Sequence, residues 1–166
     1  MRVLKFGGTS VANPTNIKLV LDIIYQKNEN EKLAVIVSAF SGVTDLLLSS
    51  SLKAAAKDAS YNLIFDEIAT KHKQAISDLI SQNNQTDFLS VINNQLQQLK
   101  TLLDGCFLLG ELSPRTKDAI AGYGELLSAQ IIAKGLSSII SNSHFKDSRE
   151  LIITNSNFGK ATVDFN

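Results

Sequence analysis

Cysteine, proline, net charge and long apolar runs are all scarce in this sequence, and each scarcity removes a class of protein. One cysteine, Cys106, cannot form an internal disulfide. Its neighbours Phe107, Leu108 and Leu109 are apolar, so it reads as a small buried hydrophobe and not as a nucleophile. Lys+Arg 16 against Asp+Glu 16 leaves no net charge, which gives no broad attraction to nucleic acid or to a membrane surface. Any anionic ligand must therefore be held locally. No apolar run approaches the ~20 residues that span a bilayer and no signal peptide is visible, so a cytoplasmic location is the default expectation. Of the two histidines, His144 has no partner at metal-ligand spacing. His72 lies four residues from both Ile68 and Ile76, the spacing of a packing residue on a helix.

What is present is enough for one domain: 166 residues, 44% of them apolar. Val3-Leu4-Lys5-Phe6 is β-prone, Gly7-Gly8-Thr9-Ser10 interrupts it, and Asn13-Pro14 opens a helix as N-cap and first helical residue. Ile17, Val20, Leu21 and Ile24 then repeat at helical spacing to about Lys27, and Asn28 to Glu31 form a polar turn. Leu33 to Val37 is a continuous apolar run of strand length, the pattern of a strand covered on both faces in a parallel sheet. Strand, helix and strand make a βαβ unit. Such units hold ligands beyond the carboxyl ends of their strands, where Gly7-Gly8 and Ser38 both fall.

A second helix is predicted from Ser41-Gly42, carrying Val43, Leu46, Leu47 and Leu48 inward. Residues 60–104 read as an α-helical hairpin, with Leu63, Ile64, Ile68, Ile76, Leu79 and Ile80 in one arm, Phe88, Val91, Ile92, Leu96, Leu99 and Leu103 in the other, and the break at Gln82 to Gln85. Ser113-Pro114 starts a further helix running through Ala119, Ile120, Tyr123, Leu127 and Ile131 to a glycine stop at Gly135. Leu136 to Ile140 and Glu150 to Thr154 are candidate strands, and Asn155 to Asn166 has no evident pattern.

The chemistry centres on the first glycines. Without a Cβ, Gly7 and Gly8 let the backbone approach a phosphate and turn N–H groups toward it; Thr9 and Ser10 add hydroxyls, and Lys5 adds a cation. The stretch is neither a P-loop, which needs Lys-Ser/Thr after its second glycine, nor a dinucleotide fingerprint, which needs a third glycine. On the residues alone, a phosphate loop and a plain tight turn stand about level.

The wording Lys5-Phe6-Gly7-Gly8-Thr9-Ser10-Val11-Ala12 closely resembles the opening of the aspartokinases, in the amino acid kinase superfamily. The resemblance recurs in order at Val37 to Asp45, Gly110 to Thr116, Tyr123 to Ser128, and Asp147-Ser148-Arg149-Glu150 with Thr154 to Gly159. It implies a three-layer αβα sandwich with a mainly parallel sheet and an inserted helical hairpin. It further implies transfer of the γ-phosphoryl group of ATP, with Mg2+, to the β-carboxylate of L-aspartate, the first step of lysine, threonine and methionine biosynthesis. Lys5, Gly7, Gly8 and Ser10 are then the phosphate-binding residues, with Lys5 catalytic, because phosphoryl transfer needs cations and donors more than covalent help. Ser38, Thr44 and Glu125 are the acceptor-binding residues: hydroxyls for its carboxylates, and a carboxylate for its ammonium. Against these stand plainer readings, in which Ser38 and Thr44 are caps or turn hydroxyls and Glu125 is a surface carboxylate. Asp147 and Arg149 are read first as a structural ion pair.

The family's domain continues into a Gly-Arg-Gly-Gly-Ser-Asp-type segment and an adenine-side loop that these residues do not contain. The expectation is therefore the N-terminal portion of one amino acid kinase domain of a longer aspartokinase, inactive by itself and forming a homo-oligomer. A truncated non-catalytic module that binds a small anion or a partner, or another amino acid kinase, is the alternative.

Overall fold

The computed structural model describes residues 1–29 and 31–165. Strand β1 (Arg2–Phe6) and strand β2 (Leu33–Val37) pair in parallel, with Leu4 opposite Val35 and Phe6 opposite Val37, across helix α1 (Pro14–Asn28). The crossover is built as its sequence dictates: the Asn13 side chain accepts from the Asn16 amide at 2.9 Å, Pro14 follows, and Ile17, Val20, Leu21 and Ile24 are buried. Of the polar turn expected at Asn28 to Glu31, Asn30 lies outside the described residues.

Then come α2 (Val43–Ala55), α3 (Tyr61–Leu79), α4 (Gln82–Leu109), α5 (Pro114–Ala121) and α6 (Tyr123–Ser137), and a single 3-10 turn at Ser148–Glu150. Helices α3 and α4 form the expected inserted hairpin and pack with α2; Ile68, Ile76, Ile92, Leu99 and Leu103 have no solvent exposure. Cys106 is buried and burial pushes its thiol pKa up, as suits a packing residue. Among the described residues no helix is long and apolar enough to cross a membrane.

The parallel βαβ unit and the inserted helical hairpin are present, and several local expectations change. Leu4, Phe6, Leu33, Val35 and Val37 pack on the helical core, whereas Val3 and Ile36 on the other face are 61% and 51% exposed. Within the described residues, then, β2 is covered on one face and not both. The hairpin turns at Ile80-Ser81, and Gln82 to Gln85 form the first turn of α4, because Ser81 is extended and the Gln85 side chain folds back, its Nε2 donating to the Ile80 carbonyl at 2.7 Å. Leu63 and Val91 face solvent. Gly135 does not stop a helix. A Cβ there would lie 3.3 Å from Leu21 Cδ1, so the glycine lets α1 and α6 approach closely inside the helix. The run from Leu136 to Ile140 is not a strand: the amides of Ile139 and Ile140 both donate to the Leu136 carbonyl, closing the end of α6. Nor does Glu150 to Thr154 join the sheet, since Thr154 makes a single antiparallel bridge with Val163. Short apolar runs of this kind fit a strand or a helix end equally until a partner is known.

His72 is fully buried in α3, and desolvation lowers its pKa to about 4, with Lys71 adding to the shift and the Ile68 carbonyl opposing it. The folded protein thus keeps His72 neutral where the unfolded chain, titrating near 6.5, takes a proton. Stability is complete above pH ~6.5 and falls as pH drops toward 4, by about 3 kcal/mol if the whole shift is expressed. Urea unfolding at stepped pH checks this, and His72→Leu is expected to remove that part of the slope.

Candidate active site

Because β1 and β2 run parallel and in register, their carboxyl ends leave the sheet side by side. The Ser38 amide donates to the Phe6 carbonyl at 3.0 Å, extending the ladder by one residue and bringing the Gly7-Gly8 loop beside the Ser38-Ala39 loop. In the first loop the amides of Ser10 and Val11 converge on the Gly7 carbonyl at 2.9 and 3.3 Å, and the Asn16 side chain holds the Thr9 carbonyl at 3.0 Å. The turn is thereby fixed from inside. The amides of Gly8 and Thr9 have no hydrogen-bond partner among the described residues. Lys5 is exposed on the open face of the sheet, and its Nζ lies 3.8 Å from where a Gly7 Cβ would stand. Among the described residues it makes no ion pair, so its charge is free to meet an anion at the loop.

The two glycines are not needed by the fold. Neither has a positive φ, and an added Cβ would meet nothing closer than 3.8 Å at Gly7 or 3.6 Å, to the Ala39 carbonyl, at Gly8. Ordinary van der Waals distances of that kind would admit alanine.

The second loop is clasped from below by α6. Glu125, in the first turn of α6, accepts from the Ala39 amide through Oε1 at 3.4 Å. This long bond leaves most of the carboxylate available. Ser128 Oγ donates to the Ser38 carbonyl at 2.7 Å and lies 3.1 Å from the Glu125 carbonyl. Gly124 is where α6 presses on the loop: a Cβ there would stand 2.8 Å from Ala39 Cβ and 3.3 Å from Leu47 Cδ1. Gly42, at φ +78°, ends the loop and caps α2 in a conformation that favours glycine. Thr44 is exposed in the first turn of α2.

Lys5, Gly7, Gly8, Ser10, Ser38 and Glu125 are thus brought to one end of the sheet, with Thr44 one turn into the adjoining helix. Asp147 and Arg149 form the expected ion pair, with Arg149 Nη2 2.6 Å from Asp147 Oδ2; each holds the other ionised, the carboxyl pKa lowered and the guanidinium raised. They share a cavity of about 300 Å³ with Glu125 and Gly122. Sequence reasoning did not assign roles to Gly124 or Ser128. A glycine within the first turn of a helix was the available signal for Gly124, since it costs helix stability without a packing reason. Nothing local marks Ser128. Among the described residues no three His, Cys, Asp or Glu side chains are grouped to hold a metal.

Comparison with known proteins agrees across almost the whole chain. Residues 1–163 match the sequence model of the amino acid kinase family. The bifunctional aspartokinase/homoserine dehydrogenase 2, chloroplastic, of Arabidopsis thaliana is 35% identical over 92% of this chain, and the chain spans 17% of that relative. Aspartokinase 1, chloroplastic, of the same plant is 32% identical over 97% of this chain, which spans 28% of it. Among solved structures, E. coli aspartokinase III in complex with aspartate and ADP superposes with a TM-score of 0.85 at 27% identity, covering 99% of this chain and 35% of that one.

Proposed function

The chain belongs to the amino acid kinase family, and from that premise we propose that it is the N-terminal portion of the kinase domain of an aspartate kinase. The reaction moves the γ-phosphoryl group of ATP to the β-carboxylate of L-aspartate. The bond between the γ-phosphorus and the β,γ-bridging oxygen breaks, a bond to the carboxylate oxygen forms, and ADP leaves. The acceptor is already ionised, so no general base is required and positioning with charge stabilisation carries the catalysis.

The observation that carries this reading is the pair of glycines at the end of β1 that neither backbone conformation nor packing demands. Close approach of something from outside the chain is the reason left for both. The open amides of Gly8 and Thr9, the Ser10 hydroxyl and the Lys5 ammonium suit the transferred phosphate of ATP. The hydroxyls of Ser38, on the neighbouring loop, and of Thr44, at the start of α2, suit the carboxylates of aspartate, and Glu125 of α6 suits its ammonium. Mg2+ would arrive with ATP, held chiefly by the nucleotide's phosphates and by water. The exposed Val3 and Ile36 on the open sheet face suit further protein packing there, as a portion of a larger domain would have.

Trapping the acyl phosphate with hydroxylamine tests the reading. With the whole gene product and ATP, aspartate is expected to give a hydroxamate and glutamate none.

A further inference from the structure

Two consecutive residues of α3 reach back to the Ser38–Gly42 loop. Lys71 Nζ donates to the Ser41 carbonyl at 2.8 Å and lies 3.8 Å from where a Gly42 Cβ would be. His72 stacks on Phe40, with ring centroids 5.2 Å apart and planes 23° from parallel. Its Nδ1 is 2.7 Å from the Ile68 carbonyl, which fixes that nitrogen as the protonated one and leaves Nε2 buried without a partner.

Neither contact is explained by the stability of the helices. A cation beside the first turn of α2 sits at the end where the helix dipole opposes it. A buried ring nitrogen without a partner costs free energy that an apolar side chain would not. What both contacts supply is a fixed loop: one holds a backbone carbonyl, the other holds the plane of an aromatic ring two residues after Ser38. The packing beside them is open, because a cavity of about 520 Å³ lies between Phe40, Lys71, Ile17 and Ala75.

We infer that Lys71 and His72 are positioning residues for the acceptor, bracing the Ser38–Gly42 loop, which leads into α2 and Thr44, from the inserted hairpin. The inference rests on the reading of that loop as the aspartate-binding side. Displacing such a loop by a fraction of an ångström weakens the aligned acceptor and leaves the nucleotide's own contacts untouched.

The test compares Lys71→Met, Lys71→Arg and His72→Leu with wild type in the whole gene product. Lys71→Met is expected to raise the aspartate KM about tenfold with the ATP KM within about twofold, and Lys71→Arg to restore most of the loss. An unchanged aspartate KM, or equal rises in both KM values, would overturn the inference. Hydrogen exchange keeps the test independent of catalysis: Lys71→Met should speed exchange of the 38–44 amides and leave the sheet unchanged. No change there overturns the brace even if aspartate is a substrate. Faster exchange without any turnover of aspartate by wild type would uphold the brace and overturn the functional reading instead. His72→Leu is expected to raise the aspartate KM and speed exchange of the same amides; no change in either removes His72 from the brace, and should His72→Leu fold poorly, His72→Gln is read in its place.

Discussion

Replacing Gly124 by alanine is expected to lower stability by about 2 kcal/mol and to cut turnover at least about tenfold. In an ordinary helix the change would stabilise by roughly 1 kcal/mol, since alanine is the better helix former. Here the new methyl would stand 2.8 Å from Ala39 Cβ and 3.3 Å from Leu47 Cδ1, well inside the contact distance of about 3.5–4.0 Å. Leu47 can rotate, but Ala39 has no torsion that moves its Cβ. Either the start of α6 or the Ser38–Ala39 loop must move, and both routes pull Glu125 and Ser128 away from the loop they hold. Thermal unfolding and steady-state kinetics on one preparation check the two effects together. A variant as stable as wild type and fully active would mean that the contact is looser than described.

Lys5→Met is expected to separate the two quantities, lowering turnover while leaving stability almost unchanged. Lys5 is exposed and makes no ion pair among the described residues, so unfolding stability should change by less than about 0.5 kcal/mol. Its charge at the glycine loop is placed to meet the negative charge of the transferring phosphoryl group, and losing one such group costs about 10²–10³ in kcat. Lys5→Arg keeps the charge with a different shape and should recover part of the rate. A loss confined to the ATP KM, with kcat intact, would assign Lys5 to ground-state binding alone.

How much of this could be read beforehand depended on how far each signal reaches along the chain. Helix α1 and both strands were legible because Asn13-Pro14, the spacing of Ile17 to Ile24 and the run Leu33 to Val37 are local signals. Ser113 as the cap of α5 was equally plain, and its Oγ accepts from the Thr116 amide at 3.1 Å. Gly135 misled because a glycine that ends a helix and one that admits a neighbouring helix look alike until Leu21 is placed against it. Leu136 to Ile140 misled for a related reason, as the partner that decides between strand and helix end is not in the run itself. At the site, the strand-end geometry made the grouping of Gly7, Gly8 and Ser38 visible in advance. Ser128, Gly124 and Lys71 were not, because each acts across a separation of 30 to 90 residues.

The measurement that bears most directly on the central claim is ATP-dependent acyl phosphate formation by the whole gene product, trapped as the hydroxamate, with aspartate and glutamate as rival acceptors. Hydroxamate with aspartate and none with glutamate is the predicted result. Product with glutamate alone would mean a different amino acid kinase, and no product with either would leave the strand-end loops as an anion site without this chemistry.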